Sequence, residues 1–108
     1  MSNEKWEAVQ CLKNELFATR NENDFNEVVK KIGEVINGDP TFTEQYRQKV
    51  RDYVHNLKAK KQEYWKKYGN KPAYAKKEVY LLREETEKKL QNLLDLITKK
   101  YERELATN

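Results

Sequence analysis

Gly69-Asn70-Lys71-Pro72 separates two long runs in which apolar residues recur every three or four positions. This arrangement constrains the chain more than any other feature. After the break, Ala75, Val79, Leu82, Thr86, Leu90, Leu93, Ile97, Tyr101 and Leu105 step by three or four throughout, the spacing of a coiled-coil-like seam. Before it, Tyr46, Val50, Tyr53, Val54, Leu57, Tyr64, Trp65 and Tyr68 form a stripe with Lys61 inside it. Lys61 can bury its stem there and keep its amine in water. The spacing predicts helices over about 43–68 and 72–105, roughly 39 Å and 50 Å long at about 1.5 Å per residue. Thr41 or Thr43 opens the first, with Thr41 and Glu44 at capping-box spacing. Pro72 suits the first turn of the second. A four-residue break between helices makes them antiparallel neighbours. Leu57 then lies level with Glu84, Val50 with Gln91 and Tyr46 with Asp95. Ile97, Tyr101 and Leu105 run past that pairing and need cover from the two helices that precede the hairpin.

Two shorter helices precede the hairpin. Over about 3–19, Trp6, Val9, Leu12, Leu16 and Phe17 fall within one arc. Asn21-Glu22-Asn23-Asp24 breaks it. A second helix, about 24–37, starts at Asp24 with Glu27 in capping-box position, and carries Phe25, Val28, Val29, Ile32, Val35 and Ile36 on a narrow stripe. Asn37-Gly38-Asp39-Pro40 ends it, with Gly38 placed for a left-handed cap. Only Gly 3 and Pro 2 in 108 residues exclude a turn-rich sheet, and no apolar run is long enough to span a bilayer. The expected fold is all-α, a three- to four-helix bundle built on a long antiparallel helical hairpin. It forms one helical domain over 1–108, with a short helical pair at 1–40 and the hairpin at 41–108.

Charge is unevenly spread. Residues 1–40 hold 5 positive and 8 negative side chains, 41–80 hold 11 and 4, and 81–108 hold 6 and 6. The second helix, about 21 Å long at the same rise, is too short to cover the whole hairpin. The uncovered part is expected to be a basic tip at about 58–82. It contains Lys58, Lys60, Lys61, Lys66, Lys67, Lys71, Lys76 and Lys77, with Glu63 as the one acid between Lys58 and Lys77. Tyr64, Trp65, Tyr68, Tyr74 and Tyr80 are interleaved or adjacent. Amines beside flat rings are what single-stranded nucleic acid needs, because amines neutralise phosphates and rings stack on bases. The same rings also fit a plainer role, closing the end of the hairpin over a solvated lysine face. Leu81 and Tyr74 lie about 150° and 130° from the centre of the helix 4 seam at about 100° per residue. With Tyr80 they form a small second apolar face suited to a partner.

Signatures of catalysis are missing. His55 is the sole histidine and points away from the stripe, so it has no second histidine to join it as a metal ligand. Cys11 lies off the helix 1 stripe with neither a base nor a helix N-terminus to activate it. The acid pairs Glu84-Glu85 and Glu102/Glu104 sit among lysines on polar faces. There is no glycine-rich phosphate loop, GxSxG, HExxH or CxxC. The expectation is a non-enzymatic chain without cofactor or metal: a small regulator, inhibitor or adaptor that binds a protein partner through its helical surface. Nucleic-acid binding at the Lys/aromatic tip and self-association into a coiled-coil homodimer are the alternatives. A lone cysteine excludes an intramolecular disulfide, and Met-Ser-Asn-Glu-Lys-Trp contains no apolar signal region. A cytoplasmic setting, or a nuclear one in a eukaryote, follows as the expected compartment.

Overall fold

The computed structural model describes residues 3–69 and 72–107, and the side chains of these except 72–76 and 107. Four α-helices account for nearly all of it: α1 (Asn3–Phe17), α2 (Glu22–Ile36), α3 (Pro40–Tyr68) and α4 (Pro72–Thr107). There is no strand among the described residues. The molecule measures 58 × 24 × 17 Å. The 36 residues of α4 rise about 54 Å and so run its full length.

The helices begin and end where side chains satisfy the free backbone groups of their terminal turns, and this moves three predicted boundaries. Asn21, not Asp24, caps α2. Its Oδ1 accepts the Asp24 N–H at 2.8 Å, which leaves Asp24 inside the first turn, where a carboxylate favours the helix dipole. Helix α3 opens at Pro40 rather than at Thr41 or Thr43. Asp39 accepts the N–H groups of Thr41 and Phe42 at 3.1 and 3.3 Å, while Pro40 has no N–H to satisfy. At the end of α1, the Thr19 hydroxyl donates to the Leu16 carbonyl at 2.9 Å and closes the helix at Phe17. Gly38 takes φ +97° after α2, a left-handed conformation a side chain would disfavour, as its position suggested.

Side-chain pairs establish an up-down-up-down order. Lys31 of α2 meets Glu15 of α1 at 3.5 Å. Between α2 and α3, the Thr43 hydroxyl donates to the Ile36 carbonyl (3.2 Å) and Tyr46 to that of Val29 (2.7 Å). Phe25 meets the Tyr53 ring edge-on at 5.2 Å, and Glu22 reaches Lys61 at 3.8 Å. Asp39 pairs with Lys100 at one end of the α3–α4 hairpin, and Lys60 lies 4.0 Å from Glu78 toward the other. The ring closes where α1 runs antiparallel along α4. Trp6 donates to Glu102 (3.3 Å), Gln10 to Thr98 (3.0 Å), Lys13 pairs with Asp95 (2.6 Å), and Gln91 donates to the Lys13 carbonyl (3.0 Å).

The four helices enclose Val9, Leu12, Leu16, Phe25, Val28, Ile32, Ile36, Phe42, Tyr53, Leu90, Leu93, Leu94, Ile97 and Tyr101. Thr86 and Thr98 are buried with them, their hydroxyls donating to the Leu82 and Leu94 carbonyls one turn back. Gly33 lets α2 and α3 approach closely. A Cβ there would stand 2.8 Å from the Tyr46 hydroxyl, which occupies that space to reach Val29. Phe42, absent from the predicted stripe, covers the far end of α4 beneath the Lys100 ammonium (5.3 Å to its ring). This early start of α3, together with α1, supplies the cover that Ile97 and Tyr101 required. Three residues placed on core stripes are exposed instead: Phe17, Val54 and Trp65.

Candidate interaction surface

Helices α1 and α2 are each 15 residues long, about 22 Å, and cover only part of a hairpin whose arms are about 44 and 54 Å. Cover on α3 stops where Glu22, the first residue of α2, meets Lys61. On α4 it stops near Phe17, the last residue of α1, whose ring lines a shallow concavity with Glu84, Glu87, Lys88, Gln91 and Asn92. Beyond those points α3 and α4 continue as a bare two-helix layer. Among the described residues from 54 to 85, none is buried.

The inner side of this overhang is held by polar and ring contacts. Tyr64 and Tyr68 stack at 5.4 Å with 27° between their planes. Glu78 interacts with both Lys60 and Tyr64. Burial first, then the Glu78 hydrogen bond and the nearby carboxylates, hold the Tyr64 phenol above its ordinary 10.0. Lys60 also approaches Glu63 at 3.9 Å, and Lys67 sits 5.4 Å over the Tyr68 ring. Tyr64 and Tyr68 therefore spend a face on each other, and Tyr64 also joins Glu78 across the hairpin.

The outer side toward α1 and α2 differs. The α4 positions that touch α1 are Glu102, Thr98, Asp95 and Gln91, stepping by four and three. The same steps carried toward the tip reach Lys88, Glu84, Leu81 and Lys77. On α3, one turn past Lys61 is Trp65. Trp65 thus stands where α2 would lie if it were longer, and Leu81 and its neighbour Tyr80 where α1 would. Trp65 is 64% exposed, Tyr80 52%, Leu81 46%, and Phe17 at the rim 78%. Trp65 shares a shallow concavity with Lys61, Gln62 and Lys66, while Arg83 lies over the Tyr80 ring at 5.3 Å. Lys58, Lys66, Lys67 and Lys77 are exposed and form no ion pair among the described residues.

The structure thus brings Trp65, Tyr80, Leu81, Lys61, Lys66 and Lys77 onto or beside one face, turns Tyr64 and Lys60 toward Glu78 across the hairpin, and stacks Tyr68 on Tyr64. Lys71 falls outside the described residues, and Tyr74 and Lys76 outside the described side chains. Phe17, which the sequence places on the helix 1 stripe, Glu84, which it places in a surface acid pair, and Glu87 join the rim without having been candidates for a site. For Phe17 the available signal was the helix break that follows it at once. Glu87 carries a raised pKa, first because it is partly buried; Arg83 opposes the shift and Glu84 adds to it. Away from this face, His55 and Cys11 are exposed, and no group of His, Cys, Asp or Glu among the described residues is placed to hold a metal ion. No described helix is long and apolar enough to cross a membrane. Comparison with known protein families, characterised proteins and solved structures finds no match.

Proposed function

We propose that this chain is a non-catalytic interaction protein, a small regulator, inhibitor or adaptor, and that it binds a protein partner through the overhanging hairpin face that α1 and α2 leave bare. One observation carries the reading. Four large side chains stand exposed where the hairpin outruns α1 and α2: Trp65, Tyr80 and Leu81 on the overhang, and Phe17 at its rim. Covering an apolar side chain of this size is worth about 1.5–3 kcal/mol, and Trp and Tyr are the anchors around which interfaces concentrate their energy. Glu78 of α4 clasps Lys60 and Tyr64 of α3 behind these residues, and Tyr68 stacks on Tyr64, so the face is presented on a preformed support. The exposed, solitary Cys11 is in keeping with a reducing compartment, cytoplasmic or nuclear.

The lysines around Trp65 favour a second reading, a nucleic-acid contact in which Trp65 and Tyr80 stack on bases. Tyr64 and Tyr68, already engaged with each other, weigh against it. Replacing Leu81 by the photo-crosslinker benzoylphenylalanine separates the two, with the exposed Leu96 of α4 as the control position. A protease-sensitive adduct of discrete mass in cell extract, formed from position 81 and not from 96, is the expected result. A nuclease-sensitive adduct would move the function to nucleic acid, and equal labelling from both positions would remove the face from consideration.

A further inference from the structure

We infer that the occupant of this face is an acidic amphipathic helix of another protein, laid along α3 and α4 in line with α1 and α2. The inference rests on the protein-binding reading above and adds the chemistry of the partner. Its shape follows from the seam. The outward positions of α4 advance by four and three from Glu102 to Lys77, and α1 occupies their lower half as an antiparallel helix. A helix presenting apolar residues at the same spacing continues that packing over Leu81, Tyr80 and Trp65.

Its charge follows from the rim. Lys61, Lys66 and Lys77 flank the apolar residues, and Lys58 and Lys67 stand on adjoining turns; all are exposed, with Glu22 reaching Lys61 and Lys67 lying over the Tyr68 ring. A carboxylate-bearing helix neutralises this array, and opposite charge across an interface both steers encounter and rejects other partners. The sign reverses toward the shelf, where Glu84 and Glu87 lie beside Phe17. The partner's acids therefore gather toward the hairpin tip.

A second copy of the chain fits poorly. Two overhangs entering each other antiparallel stop against the ends of α1 and α2. This brings Trp65 of both copies to the middle and crowds Lys66, Lys67 and Lys77 of one against those of the other. Like charges so placed repel.

The test uses the whole protein and a fluorescein-labelled model peptide of about three helical turns, with Leu at i, i+3, i+4 and i+7 and Glu elsewhere. Anisotropy should report saturable binding that weakens about tenfold or more in Leu81→Asp and again in Lys66→Glu/Lys67→Glu, with circular dichroism confirming that both variants stay folded. A Lys-for-Glu version of the peptide should not bind. A scrambled peptide of the same composition that bound equally well would overturn the proposal, because bare charge would then suffice. Absence of binding by the Glu peptide, or tighter binding of single-stranded RNA lost in the same variants, would overturn it too. A cross-link from position 81 to a protein segment lacking acids would sink this inference while leaving the protein-binding reading intact.

Discussion

The base and the overhang of this molecule are made of the same two helices, yet they are stabilised differently. In the base, α4 has α1 on one flank and α3 on the other, and Leu90, Leu93, Leu94, Ile97, Thr98 and Tyr101 are all buried. In the overhang α4 keeps only α3. Val79 and Leu82 are half-buried there, and Tyr80 and Leu81 face outward. A two-helix layer has no second layer to close it, so apolar spacing alone cannot bury its residues. It relies instead on Glu78 meeting Lys60 and Tyr64 across the two arms, while the Tyr64–Tyr68 stack and Lys66 and Lys67, cations that complement the helix dipole, steady the end of α3 itself. Identical periodicity therefore produces core in one half and accessible surface in the other. The number of neighbouring helices makes the difference.

The sharpest way to break this comparison is to place a charge in each half. Ile32→Asp or Leu93→Asp puts a carboxylate where the side chain is essentially inaccessible. A loss of about 4 kcal/mol or more is expected, enough to unfold a domain of ordinary stability. Leu81→Asp, at a site already 46% exposed, should shift stability by no more than about 0.5 kcal/mol. Urea denaturation followed by circular dichroism reads both. Similar losses at Leu93 and Leu81 would mean that the overhang is as well packed as the base.

How legible this was in the sequence depends on which helix surfaces are considered. The α2 stripe was clear because it is narrow and strongly apolar, and all six of its residues are buried or half-buried. Helix α4 was read as a single seam. It contacts two helices at once, so its buried face widens to take in Leu94 and Thr98, which a one-partner stripe leaves out. Phe42 was missed because Thr41 and Thr43 both look like helix caps, whereas Asp39 followed by Pro40 starts the helix earlier. Phe17 and Trp65 lie on good stripes but at heights where the neighbouring helix has ended. Periodicity records the direction of a side chain around its helix, and the stopping point of the helix opposite is a property of the assembled bundle.

The far end of the base supplies the next contrast, because there the closure is electrostatic. Asp39 caps α3 and accepts a hydrogen bond from Lys100, which holds its carboxyl below the ordinary 3.8. Burial opposes that shift, and the Phe42 and Thr41 N–H groups reinforce it. Lys100 is raised in turn, first by the same hydrogen bond. Asp39→Ala should cost about 1–2 kcal/mol at neutral pH, within the range of lost helix caps. A carboxylate with a depressed folded pKa contributes stability above its unfolded pKa and loses it as pH falls through the folded value. The gap between wild type and variant should thus stay constant from neutral pH down to about pH 5 and close below about pH 4. A gap that persisted at pH 2 would show that the ionised carboxylate is not what closes this end.

The smallest effects lie at the boundary between the halves and compare two tyrosines of α3. The Tyr46 hydroxyl donates to the Val29 carbonyl inside the base, so Tyr46→Phe should lose about 1 kcal/mol. Tyr53 sits higher, near Glu22 and Arg83, where α2 is about to end. Its hydroxyl is buried and has no hydrogen-bond partner, and burial, then Glu22, push its phenol above 10.0 against the opposing influence of Arg83. Tyr53→Phe keeps the ring against Phe25 and removes only an unsatisfied group. It should be neutral or stabilise by up to about 1 kcal/mol. Phenolic groups on one helix face, two turns apart, would then respond with opposite sign because one lies under a complete helix and the other under its first turn. A loss at Tyr53 as large as that at Tyr46 would place the boundary of the closed bundle higher, toward Lys61, and shorten the overhang accordingly.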